Sequence, residues 1–519
     1  MRTRVRMAAL AAALTLLGGV SACGADGDDR PDRADRAERQ KPRGQDGQDG
    51  EPDGGAEPVW KRCAAPVTAH GSAAERPGDR WQCADLTVPL DHGDPSRGTI
   101  DIALIRAKAK EPGRRIGSLL FNFGGPGGSG VASLPLSAGQ YTALNSRYDL
   151  VGFDPRGVAE SSAVVCRDSA ATEAAHRIDH TPDTPEEEKT YLRTSRAFGA
   201  GCAERSGRVL PHVGTENAAR DMDLIRRALG DEKLHYLGFS YGTELGAVYA
   251  HLFPSRVGRL VLDGVVDPSA DFVGSARNQV IGFQRALENY FTDRGEDPRE
   301  GTRRIVRLLE RVDRTPLTTA SDRPLTENLA LIGIILPLYS EASWPRLTEA
   351  LEAAEDGDGT ALLALADAYN NRDDKGAYSP QDHAQRAISC ADSKGRVTAD
   401  EVRSRHLAGF TRVSPVFGPY LAWDLAGWCA DWPVAGAWES PDVSAPGAAP
   451  ILVVGTTGDS ATPYEGARRM ADALGEGVGV LLTNKGDTHG AYGTSQCTTR
   501  TVDKYLLEGE IPEDGKVCD

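Results

Sequence analysis

The chain has no C-x-x-C pair and no histidine-rich stretch, so nothing in it suggests a metal site. It also has no basic patch. With a formal net charge of −16, a nucleic-acid partner is not expected. No lysine follows its glycine-rich segment as in a Walker sequence, and no G-x-G-x-x-G spacing occurs there, which removes the usual phosphate and dinucleotide cradles. No cofactor is therefore expected. Long hydrophobic runs are missing as well, because "AALAAALTLLGGV" (8–20) is too short to span a bilayer easily. No internal repeat is evident, which argues against a solenoid or propeller.

The short apolar run does have a reading. It follows "MRTRVRM" and precedes "VSAC", which is the layout of a secretory signal. "VSAC" fits a bacterial lipobox, so residues 1–22 are expected to be a lipoprotein signal and Cys23 the lipidated first residue. A plain signal peptide ending nearby is the alternative. There is no twin-arginine pair, which favours the general secretory route. Residues 23–57 are almost free of large apolar side chains and read as a disordered tether. The expected location is the outer face of the membrane, reached only through the lipid anchor, with release from the cell also open.

Nine cysteines are present. Setting Cys23 aside leaves an even number, which in an exported chain suggests disulfides. The economical pairing joins neighbours: Cys63 with Cys83, Cys166 with Cys202, Cys390 with Cys429, and Cys497 with Cys518.

Beyond residue 58 the pattern alternates strands with helices, which predicts an α/β fold with a mostly parallel sheet covered by helices. "CADLTVPLDH" and "TIDIALIRAKA" read as an antiparallel edge. "GSLLFNFGG", "YDLVGFDPRG", "LHYLGFS", "GRLVLDGVV" and "APILVVGTTGD" read as strands buried on both faces. "TENAARDMDLIRRALG" reads as a helix capped by Thr215. Residues 58–267 and 449–519 are expected to form the two parts of the core. Between them, 268–448 has helical periodicity and is expected to be a lid insertion.

The candidate chemistry begins at Gly238-Phe239-Ser240-Tyr241-Gly242. This is G-x-S-x-G after a strand and before a helix, the setting of a strained nucleophile turn. A serine needs a base, and the base an orienting acid. In the α/β-hydrolase fold the chain order is serine, acid, histidine. Asp459 closes "ILVVGTTGD" and His489 follows the last predicted strand, "VGVLLTNKGD", so both fall at the sheet edge of Ser240. Asp263, which ends "RLVLDG", competes with Asp459 for the acid role; Asp487 is too near His489 in the chain. The glycines of "FNFGGPGGSG" (121–130) would let backbone N–H groups approach an oxyanion. Gly125 and Tyr241 are the expected donors, each to within one residue. Asp154 and Arg156 read as a pair that holds its loop together. Glu244 and Glu216 are candidates for a substrate ammonium, although both also suit the first turn of a helix.

These residues resemble the secreted tripeptidyl aminopeptidases of actinomycetes, which group with the prolyl-aminopeptidase α/β-hydrolases. The resemblance rests on G-G-P-G, "FDPRG", G-x-S-Y-G-T and "SRVGRLVLDGVVDPS". It runs from about residue 60 to the end and includes "SCADS" and "WCADWP". It implies a Ser240–His489–Asp459 triad and release of short peptides, tripeptides by the family's name, from free peptide or protein N-termini. Two positions depart from the pattern: Phe123 replaces the histidine of H-G-G-P-G, and Ala159 replaces the second glycine of D-x-R-G-x-G-x-S. The rival readings are a carboxylic ester hydrolase of the same fold and a lipid-anchored binding protein without catalysis.

Overall fold

The computed structural model describes residues 57–64 and 77–519. The expected signal 1–22, Cys23 and all but the last residue of the tether lie outside the described residues.

Ten strands form one sheet: β1 (Lys61–Arg62), β2 (Trp81–Pro89), β3 (Thr99–Ala107), β4 (Gly117–Asn122), β5 (Tyr148–Phe153), β6 (Leu234–Phe239), β7 (Val257–Asp263), β8 (Ile451–Thr456), β9 (Gly479–Asn484) and β10 (Lys516–Cys518). Their spatial order is β1-β2-β3-β5-β4-β6-β7-β8-β9-β10. The pairs from β1 to β5 are antiparallel. From β5 to β10 every pair is parallel.

Period two explains why the central strands are apolar throughout. Leu119 and Phe121 of β4 face one core, and Leu120 faces the other. Leu260 and Leu262 of β7 oppose Val261, and Ile451 and Val453 of β8 oppose Leu452 and Val454, in the same way. Every residue of β4, β5 and β8 is buried. Each such side chain contributes about 1.5–3 kcal/mol on burial, so these strands need helices on both faces.

Between β7 and β8 the chain runs through helices from Phe272–Asp293 to Gly418–Gly427. They enclose a hydrophobic core of their own, with Phe283, Leu329, Leu347 and Phe417 fully buried. The sequence reading passed over two helices before this insertion, Ser169–His176 and Pro185–Ser206. Tyr191 of the second joins the insertion's core. Disulfides link Cys63–Cys83, Cys166–Cys202, Cys390–Cys429 and Cys497–Cys518.

Two expectations need correction. Thr215 does not cap its helix, because Gly214 holds that position and Thr215 is the first helical residue. Asp154 and Arg156 are both buried but do not pair with each other. Asp154 accepts from Ser129 Oγ at 2.6 Å and from the amides of Val131 and Glu160. The Arg156 guanidinium instead clamps Asp221 at 2.6 and 2.7 Å and donates to the carbonyls of Pro89, Leu90 and His212.

Candidate active site

Ser240 sits where β6 hands over to the helix Tyr241–Leu252, with φ 53° and ψ −122°. A non-glycine residue there stores roughly 1–3 kcal/mol, so the surroundings must hold it. They do so through the backbone. The Ser240 N–H donates to the Asp263 carbonyl at 3.0 Å. Its own carbonyl accepts from the Thr243 amide at 2.7 Å and from Thr243 Oγ1 at 2.6 Å. Gly238 is required because a Cβ there would lie 2.5 Å from the Gly242 carbonyl and closer still to the Tyr236 ring.

Asp459 follows β8 and is fully buried. Its carboxylate accepts from the amides of Ala461 and Thr462 and stands 2.8 and 2.9 Å from His489 Nδ1. A carboxylate only accepts, so the Nδ1 carries a proton, and in the neutral ring the lone pair is on Nε2. The Nε2 is buried and makes no hydrogen bond with any described residue, Ser240 included. The ring lies against the turn after β7, since a Cβ on Gly264 would come 3.3 Å from His489 Cε1, and the next residue, Gly490, lies by the nucleophile turn, where its Cβ would come 3.8 Å from Phe239 Cδ1.

Asp263, the competing acid, does something else. It accepts from the amides of Ala491 and Tyr492, just beyond the histidine, at 2.8–3.1 Å. It therefore fixes the loop, not the ring. Burial, with the Asp459 charge adding to it, pushes the Asp263 carboxyl up to about 6.

Ser240, Tyr241 and Gly125 line one cavity of about 90 Å³. Tyr241 opens its helix, so its N–H has no intrahelical acceptor. The glycine loop turns tightly, with positive φ at Gly124, Gly125 and Gly127. Phe123, the departure from the family pattern, stacks on Phe239 at 6.0 Å and on Phe121 at 6.1 Å. It packs the slot beneath the nucleophile turn. Ala159, the other departure, carries φ 39°, a left-handed conformation that suits glycine better.

The insertion touches each catalytic loop. Gln385 Nε2 donates to the Gly125 carbonyl at 3.4 Å, and a Cβ on Gly127 would meet the Gln381 carbonyl at 2.6 Å. The His489 amide donates to the Tyr339 carbonyl at 2.8 Å, and the two rings meet edge to face at 5.5 Å. Gly282 approaches the Ser460 carbonyl so closely that any Cβ would collide with it.

One residue that sequence reasoning missed is Asp392, at the end of the helix Gln381–Asp392. It accepts from the Thr215 amide and hydroxyl at 2.8 and 2.7 Å, and the same hydroxyl meets Tyr241 Oη at 2.6 Å. Asp392 lines the cavity, as does Glu244. "SCADS" was the only signal for it. Glu216 is exposed, pairs with Arg220 and stands outside the cavity.

A seryl turn at the carboxyl end of a parallel sheet, with an aspartate-held histidine on the loops after two later strands, defines a hydrolase of the α/β-hydrolase fold. Residues 117–302 match the family described as alpha/beta hydrolase fold, and 414–518 the family described as TAP-like protein. The chain belongs to this TAP-like α/β-hydrolase family. It is 38% identical over 461 residues to serine protease Hip1 of Mycobacterium tuberculosis, covering 84% of this chain and 87% of that protein. It is 31% identical over 498 residues to the tripeptidyl aminopeptidase of Streptomyces lividans (88% and 90% covered). To carboxylesterase B of Mycobacterium tuberculosis it is 35% identical over 458 residues (84% and 86%). Among solved structures it is similar to esterase E22, with TM-score 0.39 and 11% identity over 82% of this chain and 99% of that one. The chain is thus a serine peptidase or esterase-like hydrolase.

Proposed function

We propose that the protein is an exported serine aminopeptidase that releases short peptides from free N-termini. The observation that carries the chemistry is His489, held by Asp459 through Nδ1 with its buried Nε2 making no hydrogen bond among the described residues. On substrate binding, the Ser240 hydroxyl turns to Nε2 and attacks the carbonyl carbon. Apo sites often leave this hydrogen bond unmade. The hydroxyl proton passes to Nε2, and Asp459 stabilises the imidazolium. The oxyanion is received by the amides of Tyr241 and Gly125. Collapse breaks the C–N bond, Nε2 returns the proton to the leaving amine, and water hydrolyses the acyl-enzyme by the same relay.

The choice of peptide N-termini is supported by the tripeptidyl aminopeptidase relatives and by an insertion that confines the cavity. Export is supported by the four disulfides, which persist in oxidising compartments. Anchoring through Cys23 belongs to the same proposal.

The test compares a free-amino tripeptide anilide, its N-acetylated form and a short p-nitrophenyl ester, with mass analysis of the products. Cleavage of the free peptide alone, releasing a short N-terminal unit and lost in Ser240→Ala, is the expected result. Equal cleavage of the blocked peptide would overturn it. Turnover of the ester only would favour the esterase reading, which the carboxylesterase relative supports.

A further inference from the structure

The cavity at Ser240 has an unusual wall. Four carboxylates line it, from Glu244, Asp267, Asp392 and Glu439, and no lysine, arginine or histidine does. Two of the four are occupied. Asp392 is spent on Thr215, and Asp267 accepts from Asn278 Nδ2 and Arg469 Nε. Glu439 lies exposed at the rim. Glu244 makes no hydrogen bond or ion pair with any described residue, and Asp392 is the one charged group that acts on it.

An unpaired carboxylate facing another carboxylate inside a cavity is costly to fold. The helix N-terminus offsets only about 0.3–1 kcal/mol of such a cost. Burial and the neighbouring Asp392 push the Glu244 carboxyl up to about 8. A cation from outside the chain would remove that penalty.

Position decides which cation. Glu244 lies four residues along the helix from Ser240, a rise of about 6 Å. The α-ammonium of an extended tripeptidyl acyl group lies about 10 Å from the attacked carbonyl. Glu244 therefore falls short of that ammonium and within reach of a long side chain on the residue whose carbonyl is attacked. We propose that Glu244 is a specificity residue that receives a cationic side chain, lysine or arginine, on the residue whose carbonyl Ser240 attacks. This rests on the acyl-transfer chemistry proposed above and on no particular leaving group.

The experiment measures kcat/KM for Nα-acetyl-lysine and Nα-acetyl-norleucine p-nitrophenyl esters, and for free-amino tripeptide anilides ending in lysine or norleucine. The expected result is a lysine-over-norleucine ratio of about tenfold or more in each series, as a charge-assisted hydrogen bond supplies. That ratio should collapse toward one in Glu244→Gln and be partly kept in Glu244→Asp. Active-site labelling of Ser240 by a fluorophosphonate reports whether each variant is folded. An unchanged ratio in a labelled Glu244→Gln protein overturns the proposal. A preference seen with free amines but absent from the acetylated esters also overturns it, because Glu244 would then bind the α-ammonium. Inert anilides with a Glu244-dependent lysine preference on the esters would remove the peptidase reading and leave this one standing.

Discussion

Asp459 follows β8 and Asp263 ends β7, so both carboxylates reach the histidine loop, and substitution should separate their work. Asp459→Asn offers Nδ1 a donor where it needs an acceptor, and kcat should fall on the order of 10³–10⁴-fold with the fold intact. Asp263→Asn keeps an acceptor for Tyr492 but strands an NH₂ group in the core. It should cost about 1–3 kcal/mol in urea denaturation and far less in rate. A larger rate loss in Asp263→Asn than in Asp459→Asn would reverse the assignment. Glu244 offers a test through pH. Its carboxyl is raised by burial and by Asp392, so the folded state holds the proton more tightly than the unfolded chain. Its contribution is complete below the unfolded value near 4.5 and is lost as pH rises through about 8. The thermal midpoint of Glu244→Gln should therefore gain on that of the unmodified protein between pH 5 and 9, and a constant difference would refute this. Ser240, Asp459 and His489 were legible in the sequence because each sits at the end of a strand whose apolar run is unmistakable. Asp392 was not, because what it binds lies 177 residues away in the chain. Local pattern cannot show that a residue of the insertion holds the start of a core helix.

Elements were readable to the extent that their burial is periodic. The central strands declared themselves by continuous apolar runs, and the antiparallel edge by alternation. The helices Ser169–His176 and Pro185–Ser206 did not, since few of their side chains are buried and those divide between partners, Tyr191 in the insertion's core and Phe198 and Cys202 in the main one. Arg156 eludes a sequence reading for a related reason: its partner Asp221 lies 65 residues away, in the third α-helix after it, while Asp154 is its near neighbour in the chain. The helix Gln381–Asp392 is the element on which most depends. It supports the Gly125 carbonyl, sends Asp392 to Thr215, whose hydroxyl meets Tyr241 Oη, and is tied by Cys390 to Cys429. Replacing both cysteines by serine should cost about 4 kcal/mol for a loop of 39 residues. It should also lower kcat, because the shelf under the glycine loop loosens. Removing Cys497–Cys518, with a separation of 21, should cost about 3 kcal/mol and leave kcat nearly unchanged. Equal kinetic effects of the two would show that the helix does not support the loop.

At the scale of the whole molecule, the sheet and the helical insertion are not a barrel with a detachable cover. Excising 268–448 and joining β7 to β8 by a short linker should leave no minimal esterase. The expected product fails to label with fluorophosphonate even if it remains soluble, and a labelled product would refute this. Gln381 and Gln385 brace the glycine loop, Tyr339 braces the histidine loop, and Gly282 seats the loop that carries Asp459. Replacing the whole insertion would be the obvious way to change a preference. In this architecture that exchange also swaps out the foundations of the reaction centre. A new specificity must therefore arise by changes inside an insertion that keeps its three footings, one side chain at a time.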